Sequence, residues 1–254
     1  MVRLYSEREF DKIRRACRIL PQAFRLVEPH VQPGVCTAEL NEIVDSFIRS
    51  QGATPSFIGV PGPPGVKAFP ACCCISVNDE VVHGMPGGRR LVEGDIVKID
   101  AGTRLDGYFG DSARSYPVGQ VSDERVRLMN ATREALFKGI EAARAGNRIG
   151  DIGEAVSGHV EPLGYSVVRD MVGHGVGGAV HEPPEVPNYG RAGHGLRLRA
   201  GMCLALEPMI NTGDWRIRVL KDGWTVATTD GGDSAHFEHQ IRITDAEPEI
   251  LTLD

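Results

Sequence analysis

No apolar run in this 254-residue chain approaches the roughly 20 residues that cross a bilayer. The opening Met1-Val2-Arg3-Leu4-Tyr5-Ser6-Glu7 likewise lacks an apolar segment of signal-peptide length. A cytoplasmic protein with no membrane partner is expected. Positive charge is also in deficit, with a formal net charge of −6. A dedicated nucleic-acid binder usually shows a basic footprint, so no DNA partner is expected. The six cysteines (Cys17, Cys36, Cys72, Cys73, Cys74 and Cys203) contain no C-x-x-C pair, which excludes zinc-finger spacing. They read as reduced structural thiols, with Cys72 to Cys74 alternating across a strand and Cys74 able to line a pocket.

What is present is ordinary globular material, 41% hydrophobic and 24% charged. Ser6 with Glu9 matches a capping box, and Phe10, Ile13, Cys17, Leu20 and Phe24 follow at the spacing of one helix. Its other face carries Arg8, Lys12, Arg14, Arg15 and Arg18, a solvated basic stripe. A second helix is expected over Thr37–Ser50, with Leu40, Ile43, Val44 and Phe47 inward and Gly52 as its stop. The proline- and glycine-rich Pro61–Val66 reads as a surface loop bordering a site. Strands are expected at Cys74–Val77, Ile96–Asp100 and Tyr108–Pro117. Ser122 should cap a long helix with Val126, Met129, Leu136 and Ile140 on one stripe, and a shorter helix should run from about Asp151 to Leu163.

Two aspartates punctuate the strand pattern. Asp100 closes Val97-Lys98-Ile99-Asp100, and Asp111 opens the returning strand after the polar turn Leu105-Asp106-Gly107. Opposed side chains of paired strands lie about 5 Å apart. Carboxylates that close repel unless a proton or a cation lies between them, so a metal site is the first reading. An internal repeat strengthens it: Leu91–Asp100 parallels Leu198–Glu207, each a turn glycine, an alternating apolar strand and a terminal acid. Fused halves with a shared central site give one domain spanning residues 1–254.

The stretch Met171–Pro184 holds His174 and His181, seven residues apart. Its Gly173, Gly175 and Gly178 match G-x-G-x-x-G, but a dinucleotide site needs a helix next, and Pro183-Pro184 follow instead. Glu207 breaks an apolar strand just before Pro208, and Glu238 sits on a late strand. Four acids and one imidazole (Asp100, Asp111, His174, Glu207 and Glu238) suit a hard or borderline divalent pair. A lone structural zinc would want more sulfur or nitrogen.

With these residues the chain resembles the bacterial type I methionine aminopeptidases over nearly its whole length. The motifs that carry the resemblance are Ser76–Gly84, Lys98-Ile99-Asp100, Gly110-Asp111-Ser112, Gly173-His174-Gly175-Val176-Gly177, Leu206-Glu207-Pro208 and Phe237-Glu238-His239. The resemblance implies an α+β pita-bread fold, antiparallel sheets in pseudo-two-fold halves covered by helices. It implies two divalent ions (Co, Mn, Fe or Zn), with Asp111 and Glu238 bridging, Asp100 completing one shell, and His174 and Glu207 the other. His83 and His181 match catalytic histidines, and Cys74 and Trp224 match positions in the pocket for the first side chain. Pro61–Val66 is an insertion relative to the shortest members, and Val60 and Val180 stand where larger aromatics are common.

The implied activity is release of N-terminal methionine from short or nascent peptides, preferentially before a small second residue. In it Glu207 moves the proton, His181 serves the oxyanion and His83 the scissile nitrogen. A monomer with a transient ribosome contact through the basic first helix is expected. The alternative is a proline-directed peptidase of the prolidase or aminopeptidase P type, which shares the five ligands. Those enzymes usually carry a substantial N-terminal domain, whereas here the first motif already begins at Ser76.

Overall fold

The computed structural model describes residues 2–253. The first helical stripe is divided between α1 (Glu7–Cys17) and α2 (Ile19–Val27) rather than carried on one helix. Pro21 is the reason, since it has no N–H to give to the carbonyl of Cys17 one turn back. Phe10, Ile13, Cys17, Leu20 and Phe24 remain fully buried across the break. At the start of α1, the N–H and Oγ of Ser6 both donate to Glu9 Oε2, each at 2.8 Å.

α3 spans Thr37–Ser50, as the spacing predicts, and the chain leaves it through Gly52 at φ +73°. Its fully buried stripe is Leu40, Val44 and Ile48, while Ile43 and Phe47 are only half-buried against the same cluster. α4 (Asp123–Ala142) starts on Ser122, whose Oγ accepts from the Arg125 N–H. Val126 is 40% exposed rather than inward, and Leu128 takes the buried place beside Met129, Leu136 and Ile140. α5 covers Ile149–Val160 and ends in a 3₁₀ turn at Glu161–Leu163.

Every strand pairing is antiparallel among the described residues. The main sheet runs, edge to edge, through Thr54–Pro55, Ile96–Leu105, Tyr108–Pro117, Glu238–Arg242, Cys203–Leu206, Gly173–Gly175 and Glu182–Val186, with Cys73–Val77 also pairing with Ile96–Leu105. Its centre is the pairing of Tyr108–Pro117 with Glu238–Arg242. The two copies of the repeat lie symmetrically about that centre, each one strand away. Each enters its strand through a glycine at the same positive φ, Gly94 at +92° and Gly201 at +91°. α2 and α3 pack on the first half, α4 and α5 on the second. This is the helix-covered pita-bread α+β architecture.

The aspartate hairpin is longer than the apolar pattern indicates. Its strands are ten residues each, joined by Asp106 and Gly107 at φ +51° and +82°, the two-residue turn that matches strand twist. Asp100 is therefore in mid-strand, and Asp111 is the fourth residue of the return. The register pairs Asp100 with Ala113 and Gly102 with Asp111. The two aspartates are thus diagonal neighbours on one face, not directly opposed.

Candidate metal centre and substrate cleft

Register alone collects the acids. Ala113 pairs with Asp100 on one side and Glu238 on the other, so these three side chains form a row across the sheet. Two residues along, Asp111 occupies the next row on the same face. Ala205 pairs with both His174 and Gln240, and Glu207 lies two residues beyond it, just past the strand end. The alternation of strands then turns Asp100, Asp111, Glu207 and Glu238 to the same cleft. Ligand atoms of Asp111, His174 and Glu238 all lie within 4.8 Å of one another. His174 Nε2 is 3.9 Å from Asp111 Oδ2 and 3.5 Å from Glu207 Oε1.

Four carboxylates in one cavity, Asp111 and Glu238 buried and Asp100 and Glu207 half-buried, cannot all be charged without a counter-cation. Burial pushes Asp100 up to about 7 and Glu207 up to about 8. Burial and then the neighbouring acids push Asp111 and Glu238 well above the carboxylate range. Asp100 Oδ1 and Asp111 Oδ1 are buried with no hydrogen-bond partner among the described residues. His174 Nδ1 donates to the Gly175 carbonyl at 2.9 Å, which leaves the Nε2 lone pair facing the acids. Burial, then His181, lowers His174 to about 4, so the ring is neutral and fit to ligate. Unpartnered hard oxygens and one oriented imidazole nitrogen fit a divalent cation.

Around the acids opens a cleft of about 650 Å³. His83 enters it just past the strand Glu80–Val82 at φ +58°, an uncommon conformation for a side-chain-bearing residue, and burial lowers it to about 4. His181 stacks edge-on to His174 with ring centroids 4.4 Å apart, and burial lowers it too. The apolar wall groups Cys74 with Phe57, Phe69, Val60, Val180 and Trp224. Trp224 meets the Phe69 ring edge-on at 5.1 Å, and its Nε1 donates to the Lys67 carbonyl at 2.9 Å. The Pro61–Val66 loop stands behind that wall: Val66 lies against Gly223, next to Trp224, where an added Cβ would come within 2.6 Å of it, while the cleft lining includes Val60 and no residue of the loop.

The G-x-G-x-x-G stretch leads into a strand, Glu182–Val186, and no helix follows its third glycine. Its conformation is held from outside. The Tyr5 hydroxyl donates to Glu182 Oε2 at 2.6 Å and accepts from the Gly178 N–H at 2.7 Å. Glu182 Oε1 accepts from the N–H groups of Gly178 and Ala179. A Cβ at Gly177 would meet the Tyr5 ring at 2.6 Å.

Two features of the site escape the sequence reading. One is the Tyr5–Glu182 clamp, which spans 177 positions and has no local signal. The other is His236, 1% exposed, whose Nε2 lies 3.5 Å from Glu207 Oε2. It had a signal, because a residue two before Glu238 on a strand path shares its face.

Residues 11–245 match metallopeptidase family M24. A methionine aminopeptidase of Clostridium perfringens is 50% identical over 253 residues, which span 100% of this chain and 99% of that protein. The chain belongs to the methionine aminopeptidases of family M24. Methionine aminopeptidase 1 of Bacillus subtilis is 46% identical, across 99% of each protein. The crystal structure of the methionine aminopeptidase from Rickettsia prowazekii superposes with a TM-score of 0.96 at 42% identity, covering all of both chains. The prolidase of Pyrococcus horikoshii shares the fold with a TM-score of 0.78 at 23% identity, and this chain spans 63% of its length. The prolidase-type alternative is thus a distant likeness of fold.

Proposed function

We propose that this chain hydrolyses the N-terminal methionine from short or nascent peptides, preferentially before a small second residue. The observation that carries the reading is the convergence of Asp100, Asp111, His174, Glu207 and Glu238 on one cleft with an apolar wall. These five would hold two divalent ions (Co, Mn, Fe or Zn), with Asp111 and Glu238 shared between them. The proximity of both shared acids to His174 supports that division. Bound ions supply a water ionised at neutral pH and a Lewis acid for the scissile carbonyl.

The chain's own groups do the rest. Glu207 takes the proton from the attacking water and gives it to the leaving amine. His181, whose pKa desolvation lowers from the ordinary imidazole value, donates an N–H to the carbonyl oxygen as charge develops there. His83, which also lines the cleft, serves the scissile nitrogen. The methionine side chain, flexible and polarizable, lies against Cys74, Phe69 and Trp224. Val60 and Val180 leave that wall wider than aromatics would.

The reading extends to a single catalytic domain that works as a monomer in the cytoplasm. No helix among the described residues is long and apolar enough to cross a membrane. A transient ribosome contact would use the outer face of α1, where Arg14 and Arg15 are already paired with Glu249 and Asp106 and Arg8 and Arg18 stay exposed. The test offers Met-Ala-Ser, Met-Lys-Ser and Ala-Pro-Ser to metal-reconstituted protein. Methionine released from the first peptide alone is expected. Cleavage of Ala-Pro-Ser instead would transfer the chain to the proline-directed class.

A further inference from the structure

The Glu207 carboxylate lies between two imidazoles. Its Oε1 is 3.5 Å from His174 Nε2, and its Oε2 is 3.5 Å from His236 Nε2. His174 belongs to the proposed ligand set, whereas no role has been given to His236. We propose that His236 is a positioning residue that holds Glu207 Oε2 and so fixes which oxygen of this carboxylate points to the ions and the reacting water. The inference rests on the part proposed above for Glu207.

Three observations carry it. His236 is fixed in place: its N–H donates to Ser115 Oγ at 3.1 Å, and the same hydroxyl donates to its carbonyl at 2.7 Å. Its register partner is Met209, two residues after Glu207, so the ring is placed next to the acid by strand pairing. Both ring nitrogens are buried and make no hydrogen bond among the described residues. A buried imidazole left so is costly unless a nearby acceptor completes it. Asp100, His83 and Lys98 also face the ring, but Glu207 is the acid brought within ion-pair distance. A small rotation of the carboxylate closes the gap to an N–H···O bond. Groups that orient metal-binding side chains typically change affinity or activity by about 10- to 100-fold when removed.

The test compares His236→Leu, which keeps the volume without a donor, with His236→Gln, whose amide restores an N–H. His236→Met replaces the leucine variant if that one does not fold. For His236→Leu we expect kcat on Met-Ala-Ser to fall about 10- to 100-fold, with KM within about twofold. Calorimetric titration with Mn(II) should show weaker binding of one of the two equivalents, at an unchanged melting temperature. His236→Gln should recover most of both. Equal losses in the two variants would mean a packing role and overturn the proposal, as would kcat and Mn(II) affinity unchanged in His236→Leu. Glu207→Gln, run alongside, separates the two readings. Parent-like activity there defeats the role of Glu207 itself, whereas its loss beside an unaffected His236→Leu defeats His236 alone.

Discussion

Asp100 and Glu238 stand in register with the same residue, Ala113, one strand to either side of it. Two strand spacings separate their backbones by about 10 Å. Only a methyl group lies between them on that face, and Ala113 is 1% exposed. The small side chain leaves the room in which the two carboxylates converge.

Filling that room should empty the centre. Ala113→Leu adds volume where the structure has none to give, at a typical cost of about 1–3 kcal/mol. We expect a lower melting temperature together with the loss of at least one equivalent of bound Mn(II) in a metal assay. A variant that binds two equivalents normally would show that the acids do not need the gap.

Acidity sets a second expectation. The folded pKa values of Asp100, Asp111, Glu207 and Glu238 all lie above the ordinary carboxylate range, through burial first. Between about pH 4 and pH 8 these four acids hold more protons in the metal-free fold than in the unfolded chain, so their own contribution to stability falls as pH rises; the lowered histidines His83, His174 and His236 oppose this below about pH 6.5, which leaves the loss concentrated toward pH 8. Divalent cation replaces those protons. The drop in melting temperature on adding a chelator should be larger at pH 8 than at pH 5.5, a difference that calorimetry at both pH values measures. A chelator effect independent of pH would argue against charged acids as ligands.

The oxyanion role assigned to His181 predicts a kinetic defect without a metal defect. His181→Ala should keep its Mn(II) content and lose roughly 10²-fold in kcat, the scale of one lost donor. An unchanged kcat would remove that role.

The clamp on the His181 segment can be cut by one atom. Tyr5→Phe deletes the hydroxyl that joins Glu182 to Gly178 and takes a hydrogen bond from a half-buried carboxylate oxygen, at a cost of about 0.5–1.5 kcal/mol. Hydrogen exchange at Gly178 and Ala179 should speed up along with a fall in melting temperature. Unaltered exchange there would show that the amide bonds to Glu182 Oε1 suffice.

Legibility in the sequence followed the range of each interaction. Asp100 and Glu207 were readable because an acid interrupts an apolar strand after a turn glycine, twice, and the structure sets the two copies about one centre. Thr37–Ser50 was readable because its spacing and stop signal agree. The hairpin was read too short because Gly102-Thr103-Arg104 is not apolar; pairing with the return strand and with Thr54–Pro55 keeps it extended. The first helix was read too long because its stripe survives the interruption at Pro21. Val126 lies on the predicted stripe of α4, yet the neighbour that decides burial, the floor of Ile210 and Ala235, comes from distant segments. Tyr5 reaches Glu182 only through the fold.

The proposed chemistry requires that these side chains hold divalent metal. The most direct measurement is the metal content, after reconstitution with Mn(II) or Co(II) and desalting, of Asp111→Ala and Glu238→Ala beside the parent protein. We expect two equivalents in the parent, fewer in each variant, and release of methionine from Met-Ala-Ser that falls with them. Two equivalents and parent-like cleavage in both variants would contradict that chemistry.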